Sequence, residues 1–323
     1  MTRKFTGAAV LLLLALMPAV RADVKTREKS TFRIEGMLGG MVRMFGGSAA
    51  RDGITSTVAL KGNRLATIGD QSGQIIDLTE QRVYNLDVRR QEYTVVTFAE
   101  MRAQFEKARA EAEKNMKEMK PEEREQAEQA GKQLEIDVDV KETGEKKSLL
   151  GHNARQVIVT LTAREKGKTL EEGGGFVMTS DTWLGPVLPE RNEIGQFYMK
   201  YFKAVYGEAF AIDPQQTAAL AAMFPSFGTL SQRLQAEGQK LQGTALMTTT
   251  TFESIKSAEQ MKAAQQQSGG GGIGGMIGRR IAGGRGQAQQ RTKNLTMANE
   301  VLSISTSVAD ADVAIPAGFK EKK

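Results

Sequence analysis

The chain has 323 residues, of which 40% are hydrophobic and 25% charged, and its formal net charge is +6. These values favour one or two folded domains and exclude a globally disordered chain. Because it has no cysteine and a single histidine, His152, we exclude disulfide scaffolds, thiolate metal sites, cysteine nucleophiles and clusters of histidine ligands.

The first residues have the three parts of an export signal. Arg3 and Lys4 precede an apolar run at 7–17, and Val20-Arg21-Ala22 places small residues before Asp23. The run is too short to cross a bilayer as a helix. We therefore predict a cleaved signal peptide at 1–22 and a single mature domain at 23–323, periplasmic or secreted, with no lipobox cysteine and no transmembrane helix.

Cleavage lowers the net charge to +3, because Arg3, Lys4 and Arg21 leave with the signal and no acidic residue does. No dense basic stretch alternates with aromatic residues, as single-strand nucleic-acid binders require. We expect no nucleic-acid partner, and at most transient contact with an anionic membrane surface.

Residues 24–96 alternate apolar and polar side chains in short runs separated by turns. Gly62-Asn63 is a two-residue hairpin signal, and this spacing predicts an antiparallel meander with one buried face. We expect strands at 31–34, 55–60, 64–68, 74–78, 82–86 and 92–96. Within this region lies an apolar segment among glycines, interpreted either as a loop folded onto the core or as a lid over a binding site. The lid candidates are Met37, Leu38, Met41, Met44 and Phe45.

Residues 97–120 predict a helix with one apolar stripe, and we define 97–133 as a helical insert. The stripe is interpreted as packing on the sheet, with a partner-binding helix as the alternative. Further strands are expected at 134–140, 155–162, 176–183, 241–252 and 300–306, and helices over 190–240. The glutamine- and glycine-rich run at 264–291 predicts a disordered surface loop. Its glycines do not match a phosphate-binding loop, so we expect no cofactor.

Several short blocks resemble those of a family of exported bacterial proteins. They are Gly73–Leu78, Arg82–Asp87, Glu92-Tyr93, Gly144–Lys147, Gly151–Val157, Trp183 and Ile315–Lys320. That family is similar to the LolA/LppX-type lipoprotein carriers. The resemblance covers mainly residues 24–185 and the last few residues. It implies an α+β fold in which a curled antiparallel β-sheet, a LolA-like half-barrel, is covered by helices around an apolar interior.

An aromatic set is the best candidate for a binding site. An apolar cavity between a curled sheet and an amphipathic helix is a default ligand site, although the same side chains can equally fill a solid core. The cavity candidates are Trp183, Phe197, Tyr198, Tyr201 and Phe202.

Polar residues give weaker signals. His152 can serve as a general base, but no Gly-x-Ser-x-Gly motif accompanies it, so we interpret it as a turn residue. Asp137 and Asp139 share a strand face and can contribute to a calcium site; an exposed polar face is the simpler interpretation. Asp310 and Asp312 are treated in the same way.

The leading hypothesis is thus a non-enzymatic exported protein that binds a hydrophobic ligand, a lipid or an acylated protein, between sheet and helices. The alternative is an envelope structural or interaction protein with a filled core, which binds other envelope proteins through 97–133 and the glycine-rich loop. A hydrolase that uses His152 is the third hypothesis.

Overall fold

The fold comes from a computed structural model, which describes residues 23–35, 53–120, 133–207, 235–269 and 290–322 and the single positions 122, 125, 232 and 233. The predicted signal peptide, the five lid candidates and most of the glycine-rich loop lie outside these residues.

Twelve strands within the described residues form one sheet. They are β1 Val24–Ile34, β2 Ile54–Lys61, β3 Arg64–Gly69, β4 Ser72–Asp77, β5 Arg82–Asp87, β6 Glu92–Thr97, β7 Leu134–Leu149, β8 His152–Glu165, β9 Gly175–Gly185, β10 Thr244–Ile255, β11 Arg291–Ser305 and β12 Lys320–Glu321. Their order in space is β12-β6-β5-β4-β3-β2-β1-β11-β10-β9-β8-β7. All neighbours are antiparallel except β12 and β6.

The sheet consists of two meanders joined side by side. Strands β1 to β6 follow one another across one half, and β7 to β11 across the other. The pairing of β1 with β11 connects the halves. The predicted α+β class with a large curled antiparallel sheet is therefore confirmed.

Four α-helices have both ends within the described residues: α1 Phe98–Glu118, α2 Leu170–Gly173, α3 Pro189–Tyr206 and α4 Ala258–Gly269. The described positions 122, 125, 232, 233, 235 and 236 are helical as well. Thr97 and Glu100 form a capping box that starts α1, and Pro189 occupies the first turn of α3. Short 3₁₀ turns lie at Gly238–Leu241 and Asp310–Asp312. None of the described helices is long and apolar enough to cross a bilayer.

Helix α3 packs on one face of β1 to β5. The shared core contains Val24, Leu60, Leu65, Ile76, Val83, Phe98, Phe197, Tyr201 and Val205. The other face of β2 to β6 is covered by the chain after β11, through Val308, Val313, Ile315 and Phe319. This half of the sheet is therefore covered on both faces, and the prediction of a meander with only one buried face is wrong here, because the chain after β11 covers the second face.

Helix α1 leaves the body of the protein after its first turns. Phe98 is fully buried and Met101 packs on the same core, while Phe105 is 37% exposed and contacts the ring of Tyr206 at 5.1 Å. Its 21 residues span about 32 Å. The prediction that the whole stripe packs on the sheet is thus wrong for Phe105, Ala108 and Met119, which are exposed, because the helix extends past the surface against which its first turns pack.

The first residues of the predicted disordered loop belong instead to helix α4. Ser257 and Gln260 cap its first turn reciprocally, and the helix continues to Gly269. Residues 264–269 are therefore helical. The signal that could have identified this helix is the Ser-x-x-Gln capping box followed by alanine, lysine and glutamine.

An ion pair ties α3 to the centre of the sheet. Arg191 Nη1 lies 2.5 Å from Glu28 Oε1 on β1, and the two side chains are 22% and 15% exposed. Thr26 donates to the same carboxylate at 2.9 Å, and Asn299 of β11 donates to its other oxygen at 3.4 Å. One carboxylate therefore connects α3, β1 and β11.

We expect Arg191→Met to lower the free energy of unfolding by about 2 kcal/mol, because it leaves the Glu28 carboxylate without its charged donor. Urea unfolding followed by circular dichroism measures this change. The control is Arg109→Met, which breaks the exposed Arg109–Glu113 pair on α1 and should cost at most about 0.5 kcal/mol. Equal effects of the two substitutions would contradict the assignment.

Candidate functional site

Most of the predicted aromatic set lies in the core beneath α3. Phe197 and Tyr201 are 3% and 7% exposed. The Tyr201 ring meets Phe98 edge-on at 5.3 Å, and its hydroxyl donates to Met101 Sδ at 3.6 Å. Tyr198 and Phe202 pack against the same cluster. Burial raises the pKa values of Tyr198 and Tyr201 above their ordinary range, which is consistent with a dry interior.

The space beneath α3 is nearly filled. Phe197 lines a cavity of about 10 Å³ together with Leu60, Leu78 and Glu193. A volume of this size holds about one water molecule. Among the described residues, the contact between α3 and the sheet shows no opening large enough for an acyl chain, and Phe197 and Tyr201 pack there as part of the core.

Trp183 is separated from that cluster by the sheet itself. It alternates along β9 with Thr182 and Leu184, so it points to the face opposite α3. The ammonium group of Lys147 lies over its ring at 5.4 Å. The structure therefore does not bring Trp183 together with Phe197 and Tyr201.

The polar candidates occupy separate places. His152 lines an open cleft of about 620 Å³ at the end of the sheet, with Leu150, Glu190 and Ser303.

The carboxylates of the two aspartate pairs are largely engaged. Asp137 pairs with Arg164 at 2.6 Å, and Asp312 pairs with Lys25 at 2.8 Å. The described residues contain no group of three or more potential metal ligands that lie close together.

The face of the sheet on which α3 packs, called the α3 face below, continues beyond the helix onto β11, β10, β9 and β8. Directly paired residues of neighbouring antiparallel strands point to the same face. The registers therefore define rows of side chains that run across the strands. Because residues on one face are two apart, successive rows are about 7 Å apart.

One of these rows is apolar in every strand. Ile34 pairs with Leu295, Leu295 with Phe252, Phe252 with Met178, Met178 with Leu161, and Leu161 with Val138. We call this set the apolar row. Val138 is buried, and the other five side chains are partly exposed. The apolar row joins six strands that originate from distant parts of the chain.

A second row on the α3 face is polar over four strands. Ser30 pairs with Asn299, Asn299 with Thr248, and Thr248 with Thr182. We call these four residues the polar row. Asn299 Nδ2 donates to Ser30 Oγ at 3.1 Å, and Thr182 lies 3.4 Å from Ser180 Oγ. The polar row lies between the apolar row and the Glu28–Arg191 pair at the edge of α3.

The row between these two is mixed. It consists of Phe32, Met297, Thr250 and Ser180, continued by Val159 and Val140. Phe32 is 49% exposed, and Thr250 donates to Ser180 at 3.4 Å. The α3 face therefore changes from apolar to polar along β1, β11, β10 and β9, whereas on β8 it stays apolar through Leu161, Val159 and Val157.

The opposite face of the same strands has a different composition. There Thr296 pairs with Thr251, Thr251 with Thr179, and Thr179 with Thr160, and Arg33 and Asp139 flank this row. The two faces of one set of strands are thus chemically distinct, which supplies matched positions for control substitutions.

The apolar row cannot be recognised as a set from the sequence. The alternation of Phe176, Met178 and Ser180, and that of Thr250 and Phe252, was visible in the sequence. However, the row exists only through the strand registers, which one sequence does not specify.

No protein-family model matches the chain, and no curated protein sequence matches it.

We expect Phe197→Ala to lower the free energy of unfolding by about 3–5 kcal/mol, because it empties a packed core position. Phe32→Ala, which removes a half-exposed ring from the mixed row, should cost less than about 1 kcal/mol. Denaturant titration of both variants tests this contrast. If Phe197→Ala proved as mild as Phe32→Ala, the α3 contact could not be a filled core.

Proposed function

We propose that the mature chain is an exported, non-enzymatic protein that binds a hydrophobic ligand, a lipid or an acylated protein. In this proposal the sheet is a half-barrel of the LolA/LppX type, and the ligand lies on the α3 face beside the helix rather than beneath it. The apolar row carries the proposal.

The dimensions of the apolar row support this proposal. Six strands at about 4.8 Å give a row of about 24 Å, which exceeds the roughly 15 Å depth of one leaflet of a bilayer. Val138 at the end of the row is buried. The five partly exposed positions, from Ile34 to Leu161, span about 19 Å, and an acyl chain can therefore lie along them.

The composition of the row supports it as well. Phe252 and Met178 are paired neighbours, and the rings of Phe176 and Phe252 lie 5.9 Å apart. Aromatic and methionine side chains adapt to flexible apolar partners. Each buried methylene of a ligand contributes about 0.8 kcal/mol, so a long chain can bind tightly without any charged contact.

We expect Phe252→Asp to weaken binding of a fluorescent fatty acid at least about tenfold, because it places a carboxylate in the middle of the apolar row. Fluorescence titration measures the affinity. Phe32→Asp, at a half-exposed position of the adjacent row, should also weaken binding. Because Phe32 is half exposed, this second variant keeps the test valid if Phe252→Asp fails to fold.

The matched control is Thr251→Asp, which introduces the same charge on the same strand but on the opposite face. Its affinity should equal that of the wild type. Loss of affinity in the control but not in the two row variants would place the ligand on the face opposite the α3 face and contradict the proposal. Absence of fatty-acid binding by the wild type would refute it as well.

A second candidate function is supported by α1. Beyond Met101 its described side chains are exposed, and Phe105 is partly covered by Tyr206. An amphipathic helix in this position is suited to pairing with a helix of another envelope protein. Deleting residues 107–118 should then abolish recovery of a partner after cross-linking while lipid binding persists; the opposite pattern would exclude this candidate.

A further inference from the structure

We infer that the ligand of the α3 face is an acylglycerol, a lipid whose head carries hydroxyl and ester groups and no charge. This inference rests on the proposed function and specifies its ligand class. The observation behind it is the polar row, which runs parallel to the apolar row on the same face.

The spacing of the two rows fits an amphiphile. Thr248 and Phe252 lie on one strand and differ by four positions, which corresponds to about 13 Å. Thr182 and Met178 repeat this separation on β9, and Asn299 and Leu295 repeat it on β11. A molecule whose chain follows the apolar row can turn along the strands and bring its head to the polar row.

The chemistry of the polar row suits esters and hydroxyls. Ser30, Thr182 and Thr248 carry hydroxyl groups, which both donate and accept hydrogen bonds, and Asn299 adds an amide. The Thr248 hydroxyl makes no side-chain hydrogen bond with any other described residue. Ester carbonyls of a ligand can accept from these groups, and a glycerol hydroxyl can donate to them.

The charges nearby disfavour a phosphate head. Along 30–34, 157–163, 176–182, 248–254 and 295–299, the residues that point to the α3 face carry no charge. Strong phosphate sites use unpaired arginine or lysine.

Two arginines next to the polar row are already engaged. Arg191 is held by Glu28. Arg155 pairs with Glu142 and donates to the carbonyls of Lys240 and Gln242. An anionic head would therefore lose its hydration at the polar row without gaining a free cation.

The test compares three probes with the same oleoyl chain: monooleoylglycerol, oleoyl-lysophosphatidylglycerol and oleate. Each displaces the fluorescent fatty acid from the mature chain below its own critical micelle concentration. We expect monooleoylglycerol to bind at least about tenfold more tightly than lysophosphatidylglycerol. The phosphate of the second lipid would lose its hydration without gaining a cation as a partner, and monooleoylglycerol has no charged group to desolvate.

The double variant Thr182→Val and Thr248→Val preserves side-chain shape and removes two hydroxyls of the polar row. It should weaken monooleoylglycerol about tenfold through the loss of hydrogen bonds, and leave the affinity for oleate within about twofold. The matched control, Thr179→Val and Thr249→Val, changes the same strands on the opposite face and should leave all three affinities unchanged.

The outcomes separate the two proposals. Equal affinities for all three probes, or tighter binding of the phosphate lipid, would overturn the acylglycerol assignment. Weaker binding by Phe252→Asp in the same experiment would still support the apolar row as the binding site. Monooleoylglycerol affinity unaffected by the double variant would overturn it too. If no probe bound, the proposed function itself would fail.

Discussion

The pairing of β1 with β11 is the constraint on which the rest of the structure depends. It brings residues 24–34 against residues 291–305 and makes one sheet from two meanders that are each formed by neighbouring segments. The meanders can form from local contacts, whereas this pairing closes a loop of more than 250 residues, so we expect it to form late in folding. Ser30 and Asn299 hydrogen-bond across it, and Glu28 accepts from Arg191 and Asn299 at the same place.

The α3 face differs between the strands on either side of this join. On β1 to β5, α3 buries the sheet and leaves a cavity of only about 10 Å³. On β11, β10 and β9, the same face carries partly exposed apolar and polar rows. The Glu28–Arg191 pair lies at the boundary, since it fixes the edge of α3 against β1. In the proposed function the ligand therefore binds beside the core beneath α3, and that core does not have to open.

Local structure could be predicted from the sequence where local signals are strong. The turn at Gly62-Asn63, the alternation over 134–140 and the aromatic repeat of α3 each correspond to the described element. The residues of the candidate site are harder to predict from the sequence. The expectation of a cavity between a curled sheet and an amphipathic helix puts Trp183 and Phe197 in one set, yet the alternation along β9 places Trp183 on the opposite face. The apolar row needs five strand registers at once, and only the register of β7 with β8 follows from a short turn, at Leu150-Gly151. For α1, periodicity correctly predicted the helix but carried no information about where the surface beneath it ends.

The most direct test of the central claim is photo-cross-linking with a monoacylglycerol that carries a diazirine near the end of its chain. Peptide mass spectrometry of the cross-linked protein identifies the labelled residues. The account predicts labels at Phe252, Met178 and Leu295, the centre of the apolar row, and their loss when unlabelled monooleoylglycerol competes. Labels concentrated on the threonine row of the opposite face, or on α1, would contradict it.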